Sequence, residues 1–489
     1  MTYKRAKMAL LTGVSITILS GQAFAGNWDG FSFGIGGGYG IANNELGIAP
    51  KGLIDDAKLT IDGFGGKGGF FTFGAGYDRT IFNNLVIGAF VDYDVSDIDT
   101  TLSLSIPPLA DANARADFNI ENQLSIGGRL GYLVSPTTLF FTTFGYARVE
   151  TSNIKASLGS DVGSISGTLA SVGNFNGYFV GGGVETLISN GFSIKGEYRY
   201  TSLQTEGATV LPGTGISDFV GASLKPQIQT GRVSLNYRFG GKSEPADEPA
   251  PRAAGTWTGT YLGFGAGYGA ATNDITLADR SPQPGSIFNV DIDGMGSQGG
   301  FISGTVGYDY QASPRIVVGA FADADFSNLH HNTSLGVSED DATLGIGIKS
   351  RFQNIFMIGG RLGYLTTPDT LIFGSAGYAN AGLDDTNLRA GIDFGGQNVL
   401  SEGTVLFDSK RFSGVFFGGG VETRLNEALS LKAEYRYLDL GSERMSLLPN
   451  DAPEINEFIS TKFDPVIQMG RLSINYRFGG RDEASVPLK

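Results

Sequence analysis

Apolar and polar residues alternate with period two along most of this chain. In Gly231–Gly241, Val233, Leu235, Tyr237 and Phe239 fall on one side, and Arg232, Ser234, Asn236 and Arg238 on the other. Successive side chains of a strand point to opposite faces of the pleat, so this separation predicts a strand and excludes a helix. The stretch returns almost unchanged at Gly470–Gly480. Eight such stretches occupy the first half, at about 28–40, 69–79, 84–95, 122–134, 137–148, 177–187, 191–203 and 227–239. Each is long enough for a tilted strand to cross a bilayer. One of them resists phasing: Phe140, Phe141 and Phe144 occupy both faces.

The connections alternate between short and long. The short ones carry turn residues, as in Phe82-Asn83-Asn84, Val134-Ser135-Pro136 and Ser189-Asn190-Gly191. The second half repeats them with Ala312-Ser313-Pro314, Thr366–Asp369 and Leu425-Asn426-Glu427. Short turns on one side and long loops on the other predict an antiparallel up-and-down transmembrane β-barrel, all-β, with the short side periplasmic.

The halves are a duplication. Ile126-Gly-Gly-Arg-Leu-Gly-Tyr-Leu returns at Ile358, Gly181-Gly-Gly-Val-Glu-Thr at Gly418, and Glu197-Tyr-Arg-Tyr at Glu434. Trp28 matches Trp257. Between the copies, residues 242–255 are rich in proline and alternating charge, an extended linker. The expected organisation is a signal peptide (1–25), a first eight-stranded barrel (26–241), a periplasmic linker (242–255), a second eight-stranded barrel (256–480) and a tail (481–489). The alternative is one sixteen-stranded barrel with a porin-like diffusion channel. The two differ in closure: the strand ending at Phe239 pairs either with the strand at Trp28 or with the one at Trp257.

Composition narrows the class. Gly reaches 75 of 489 residues and charged residues only 17%, which suits closely packed strands rather than a helical enzyme. Lys4, Arg5 and Lys7, an apolar run from Met8 to Ser20, and Ala23-Phe24-Ala25 make a secretory signal. Its removal changes the net charge from −14 to −17, since it loses three bases and no acid. So acidic a chain is a poor nucleic-acid binder. With no Cys, disulfides and a lipidated N-terminus are excluded.

The expected orientation sorts the aromatics by height. Trp28, Tyr77, Tyr132, Tyr237 and Phe239, with Trp257, Tyr308, Tyr364, Tyr476 and Phe478, fall at the periplasmic interface. Tyr39, Tyr93, Tyr200, Tyr268 and Tyr437 fall at the outer one. The opposite phase puts charge in the lumen. Copy one supplies Asp92, Arg129, Glu185, Lys195, Glu197, Arg199, Arg232 and Arg238. Copy two supplies Asp323, Arg361, Glu422, Lys432, Glu434, Arg436, Arg471 and Arg477. An eight-stranded barrel is just wide enough for side chains to fill it, so these acids and bases are expected to pair as a plug. Glu197 is expected between Arg129 and Arg232, and Glu434 between Arg361 and Arg471.

Gly128-Arg-Leu-Gly-Tyr, Ala433-Glu-Tyr-Arg-Tyr-Leu-Asp-Leu-Gly and the closing Asn-Tyr-Arg-Phe resemble the small eight-stranded outer-membrane proteins of Gram-negative bacteria, of the opacity and alphaproteobacterial major surface-antigen types. The resemblance covers nearly all of 26–480, twice. It implies an integral outer-membrane protein, inserted by the barrel-assembly machinery through a terminal aromatic strand. The chain departs from the family pattern in having two barrels and a tail beyond Phe478.

No catalytic, cofactor or metal site is expected. The only histidines, His330 and His331, are adjacent in a long loop of copy two, and copy one has none. The Gly-rich runs lie inside strands with no helix after them, so they cradle no phosphate. The long loops are acidic, which suits cation bridging to lipopolysaccharide or contact with a host or cell-surface ligand. The expected role is structural: membrane integrity and presentation of surface loops.

Overall fold

A computed structural model describes residues 28–50, 58–82, 84–106, 112–160, 163–189, 191–214, 218–239, 257–279, 289–339, 342–394, 397–400 and 403–478. The expected signal peptide, linker and tail lie outside these residues.

Eight strands build the first barrel: β1 (Gly30–Pro50), β2 (Lys58–Ile81), β3 (Leu85–Ile106), β4 (Ala112–Ser135), β5 (Thr138–Thr151), β6 (Phe175–Ser189), β7 (Phe192–Leu203) and β8 (Val220–Phe239). Eight more build the second: β9 (Gly259–Asp279), β10 (Asn289–Gln311), β11 (Ile316–Glu339), β12 (Ala342–Thr367), β13 (Thr370–Leu383), β14 (Lys410–Arg424), β15 (Leu429–Asp439) and β16 (Ile459–Arg477). Neighbours in each set pair antiparallel.

Closure separates the two architectures. β8 pairs with β1, from Phe31↔Phe239 to Pro50↔Val220. β16 pairs with β9, from Tyr261↔Arg477 to Asp279↔Ile459. The chain therefore forms two tandem eight-stranded barrels, and the single sixteen-stranded barrel is overturned. Each closed sheet leaves no edge in the membrane, as hydrocarbon requires.

Several strands run past the expected boundaries, by up to two residues at the short turns and by ten or more on the long-loop side of β1 to β4. β12 has 26 residues, far more than the ~10 that a tilted strand needs to cross. The excess projects beyond the membrane. Short strands inside the long connections, 154–160, 163–172 and 206–210 in the first barrel, continue these extensions.

Strand β5 resolves its ambiguous phase. Phe141 is buried in the lumen, while Phe144 faces out and is 59% exposed. Phe140 also faces out but is half-buried, next to an outward Thr138 with no exposure at all.

Candidate functional site: the two lumens

Alternation brings one face of every strand into a narrow interior, and that interior is charged. In the first barrel the charges form two clusters. The lower one, near the short turns, joins Arg129 and Arg238 to Asp78 and Glu185. Arg238 Nη1 lies 2.9 Å from Asp78 Oδ2 and donates to the Trp28 carbonyl at 2.7 Å. Ser193 Oγ donates to Glu185 at 2.6 Å. The upper cluster is centred on Arg199, which donates to Glu197 at 3.0 Å and to Asp92 at 2.8 Å. Arg232 donates to Asp94 at 2.8 Å and lies 3.6 Å from Asp92. Lys195 is 4.0 Å from Glu197.

The second barrel repeats this pair for pair. Arg361 and Arg477 hold Asp309 and Glu422. Arg436 donates to Glu434 at 2.9 Å and pairs with Asp323. Arg471 pairs with Asp325 and Asp323, and Lys432 Nζ lies 3.5 Å from Glu434.

Thus all sixteen charged positions singled out from the sequence lie in the two lumens, but their partners differ from expectation. Glu197 bonds Arg199 and Lys195, not Arg129 and Arg232. Glu434 bonds Arg436 and Lys432, not Arg361 and Arg471. The reason is height: Arg129 and Arg361 sit nearer the short turns, and other acids reach Arg232 and Arg471 first. Those acids, Asp78, Asp94, Asp309 and Asp325, were missed. The signal was present, because Asp94 lies two residues from Asp92 and Asp78 follows the outward Tyr77. With them the ion-paired set of each lumen holds five acids and five bases and is neutral. In the second barrel the buried Arg424 adds a cation at the floor, 5.3 Å over the Trp257 ring, where the first has Leu187.

The guanidinium groups also lie on aromatic faces. Arg199 stacks on Phe179 at 4.4 Å, and Arg436 on Phe321 and Phe416 at 4.9 and 5.0 Å. Arginine suits this position, since its weakly hydrated plane accepts ring contact while its edge donates to carboxylates.

Trp28 and Trp257 are corrected. Neither faces lipid: Trp28 is 1% exposed and Trp257 fully buried. Each lies beneath its lumen, its Nε1 donating to Pro136 O at 3.0 Å or Pro368 O at 2.9 Å. Each precedes its first strand and so escapes the alternation. Gly30 and Gly259, with φ of 123° and 143°, turn the chain under the barrel. The other periplasmic aromatics face outward. Tyr77, Tyr237, Phe239, Tyr308, Tyr364, Tyr476 and Phe478 are exposed, and Tyr132 is half-buried. Of the outer tyrosines Tyr93 is exposed, while Tyr39 packs edge-on to Tyr437 at 5.2 Å and Tyr200 to Tyr268 at 6.5 Å, each pair joining the two barrels.

Above the charges, apolar side chains fill both mouths. Ile98, Phe118, Ile120 and Phe175 do so in the first barrel, and a larger cluster including Leu329, Phe352, Phe412 and Phe463 in the second. His331 is buried in the second mouth with its Nδ1 2.7 Å from the Gly296 carbonyl, whereas His330 is exposed. No group of three or more His, Cys, Asp or Glu among the described residues is arranged to hold a metal ion.

The model of the outer membrane protein beta-barrel domain matches residues 11–239 and again 249–461. The chain belongs to that family. It is an outer-membrane protein, with the family's barrel present twice. This family member is 28% identical over 181 residues to the 31 kDa outer-membrane immunogenic protein of Brucella melitensis, a match covering 37% of this chain and 67% of that one. The Brucella suis protein of the same description matches equally. Solved structures aligned with it include Ail, the attachment invasion locus protein of Yersinia pestis (13% identity, 45% of this chain, 99% of Ail, TM-score 0.19). The Pseudomonas putida toluene transporter TodX aligns over 92% of this chain and 90% of its own (10% identity, TM-score 0.28). At such scores neither likeness bears on function.

Proposed function

We propose that this outer-membrane protein is structural: two sealed barrels that stiffen the membrane and hold long loops at the cell surface, with no catalytic role. The observation that carries this reading is the filling of each lumen. Five acids and five bases interlock above a buried tryptophan and below an apolar plug. A paired lumen leaves no aqueous path, whereas a diffusion channel needs a polar water-filled interior.

Strand extensions well beyond bilayer thickness support the surface role, as do acidic outer segments such as Asp451–Glu457. Such carboxylates suit divalent-cation bridges to lipopolysaccharide or contact with a host or neighbouring cell. The aromatic end of β16, with Tyr476 and Phe478 facing out, suits recognition by the barrel-assembly machinery during insertion. Planar-bilayer recording of the purified full-length protein tests the reading. Conductance at the baseline of the empty bilayer is the expected result, and steady porin-like conductance would overturn it.

A further inference from the structure

The outward faces of the two barrels are not equally lipid-like all round. On β8, Val233, Leu235, Tyr237 and Phe239 are exposed, as a lipid face should be, but Gly231 and Gln229 on the same face are buried. On β16 the outward Gln468 has no exposure. Hydrocarbon offers a glutamine amide no hydrogen-bond partner, so such residues need protein beside them.

That protein is the other barrel. Tyr435 covers Gly231 so closely that an added Cβ would lie 2.1 Å from its Cε2. Reciprocally, a Cβ on Gly470 would lie 2.8 Å from Tyr198 Cβ. Tyr198 Oη donates to Gln229 Oε1 at 2.7 Å and Tyr435 Oη to Gln468 Oε1 at 2.9 Å. Gln468 Nε2 crosses to the Gln229 carbonyl at 2.8 Å, and Gln229 Nε2 to Gln298 at 2.8 Å.

The contact extends along the whole height. Because strands tilt by ~45°, a vertical strip of wall crosses several strands in turn. At its foot the Oγ1 atoms of Thr138 and Thr370 are 3.2 Å apart. Above the membrane β3 pairs with β10 at Leu102↔Ile292 to Ser105↔Asn289, and β2 with β11 at Lys58↔Ser338 to Ile61↔Leu335. Phe64↔Met295 pairs between them. Position for position, β10 is the second strand of its barrel and β3 the third of the other. The exchange is therefore reciprocal, the signature of an isologous interface.

We infer that the two barrels are the halves of an isologous dimer held in one chain, locked in the membrane along a polar seam from which lipid is excluded. The kind of partner each seam face fits is the other copy of the same barrel. Duplication has let the faces diverge: Lys67 reaches Asp274 at 2.6 Å, while Gln298, its counterpart in the second copy, bonds Gln229 and Gln227. Each half thereby becomes specific for the other.

The chain has no cysteine, so cross-linking tests this directly. Thr138→Cys with Thr370→Cys is oxidised in intact outer membranes, and a protease site placed within 242–255 is then cut. The halves should stay joined on a non-reducing gel, with a rate at least about tenfold above that of Leu130→Cys with Leu362→Cys, equivalent lipid-facing positions away from the seam. Heat-modifiability of each variant reports folding. Adding Gly231→Trp and Gly470→Trp should abolish the cross-link while heat-modifiability persists. If the threonine pair does not fold, Lys67→Cys with Asp274→Cys and a short bismaleimide is read in the same way. Folded protein that cross-links no faster than the control, or that links two chains instead of two halves, overturns the inference.

Discussion

The two barrels agree in the ion pairs of their lumens and diverge in the side chains packed around them. Every ion pair of the first lumen has its counterpart in the second, down to the serine on Glu185 and on Glu422. Where they differ, the second barrel is the more tightly filled. Tyr261 lies buried against Arg361 at 4.8 Å and Arg477 at 5.2 Å, where the first barrel has Ser32. The second mouth holds the larger apolar cluster, and its His331 stands where the first has Thr100. The difference teaches where duplication leaves freedom. A lumen charge cannot change alone without stranding its partner, whereas an apolar mouth tolerates exchange of one side chain for another.

Each barrel carries one tryptophan, so Trp257→Phe and Trp28→Phe backgrounds let emission follow the unfolding of one barrel at a time. The largest effect is expected from Arg199→Ala and Arg436→Ala. Each leaves two buried carboxylates without their shared cation and should lower stability by roughly 3–5 kcal/mol in its own barrel, measured by urea unfolding in liposomes. Equal losses sharpen the comparison, and clearly unequal ones break the claim that the lumens are equivalent. Next, Tyr261→Ser removes a buried ring from beneath two guanidinium groups and should cost about 2–3 kcal/mol in the second barrel only.

The third effect is one of pH. Burial among apolar groups lowers the His331 pKa from the usual value to about 4. The folded state then takes up its proton later than the unfolded one. Its contribution is complete above the ordinary histidine pKa of ~6.5 and is lost as pH falls from there towards 4, by about 1 kcal/mol at pH 5.5. The second barrel should therefore weaken relative to the first on mild acidification, and His331→Thr should remove that difference. The smallest effect is expected at the exposed Arg351–Asp384 pair, where Asp384→Ala should change stability by less than about 1 kcal/mol.

The alternation of side chains made the strands, their number and the inward position of sixteen charges readable from the sequence. Period two is a local property of an extended backbone, and it needs no partner strand to be seen. The same rule reached Asp78 and Asp94, yet neither was read, because one stood behind an interface tyrosine and the other at the start of an acidic run. Which acid meets which base was beyond the sequence: Arg199 and Asp92 are 107 residues apart and meet only because the closed barrel sets their strands face to face. Trp28 lay outside the rule altogether, being turned by Gly30 before the pleat begins. The seam was least visible. Gln229 and Gly231 continue the outward phase of a lipid-facing strand, and only the second barrel beside them makes that stretch of the wall an interface. The sequence by itself determined the wall and what lines it, because these follow from the local backbone. Closure, charge pairing and the face that meets its twin were decided by the tertiary structure, because they depend on groups hundreds of residues apart being brought within hydrogen-bond reach.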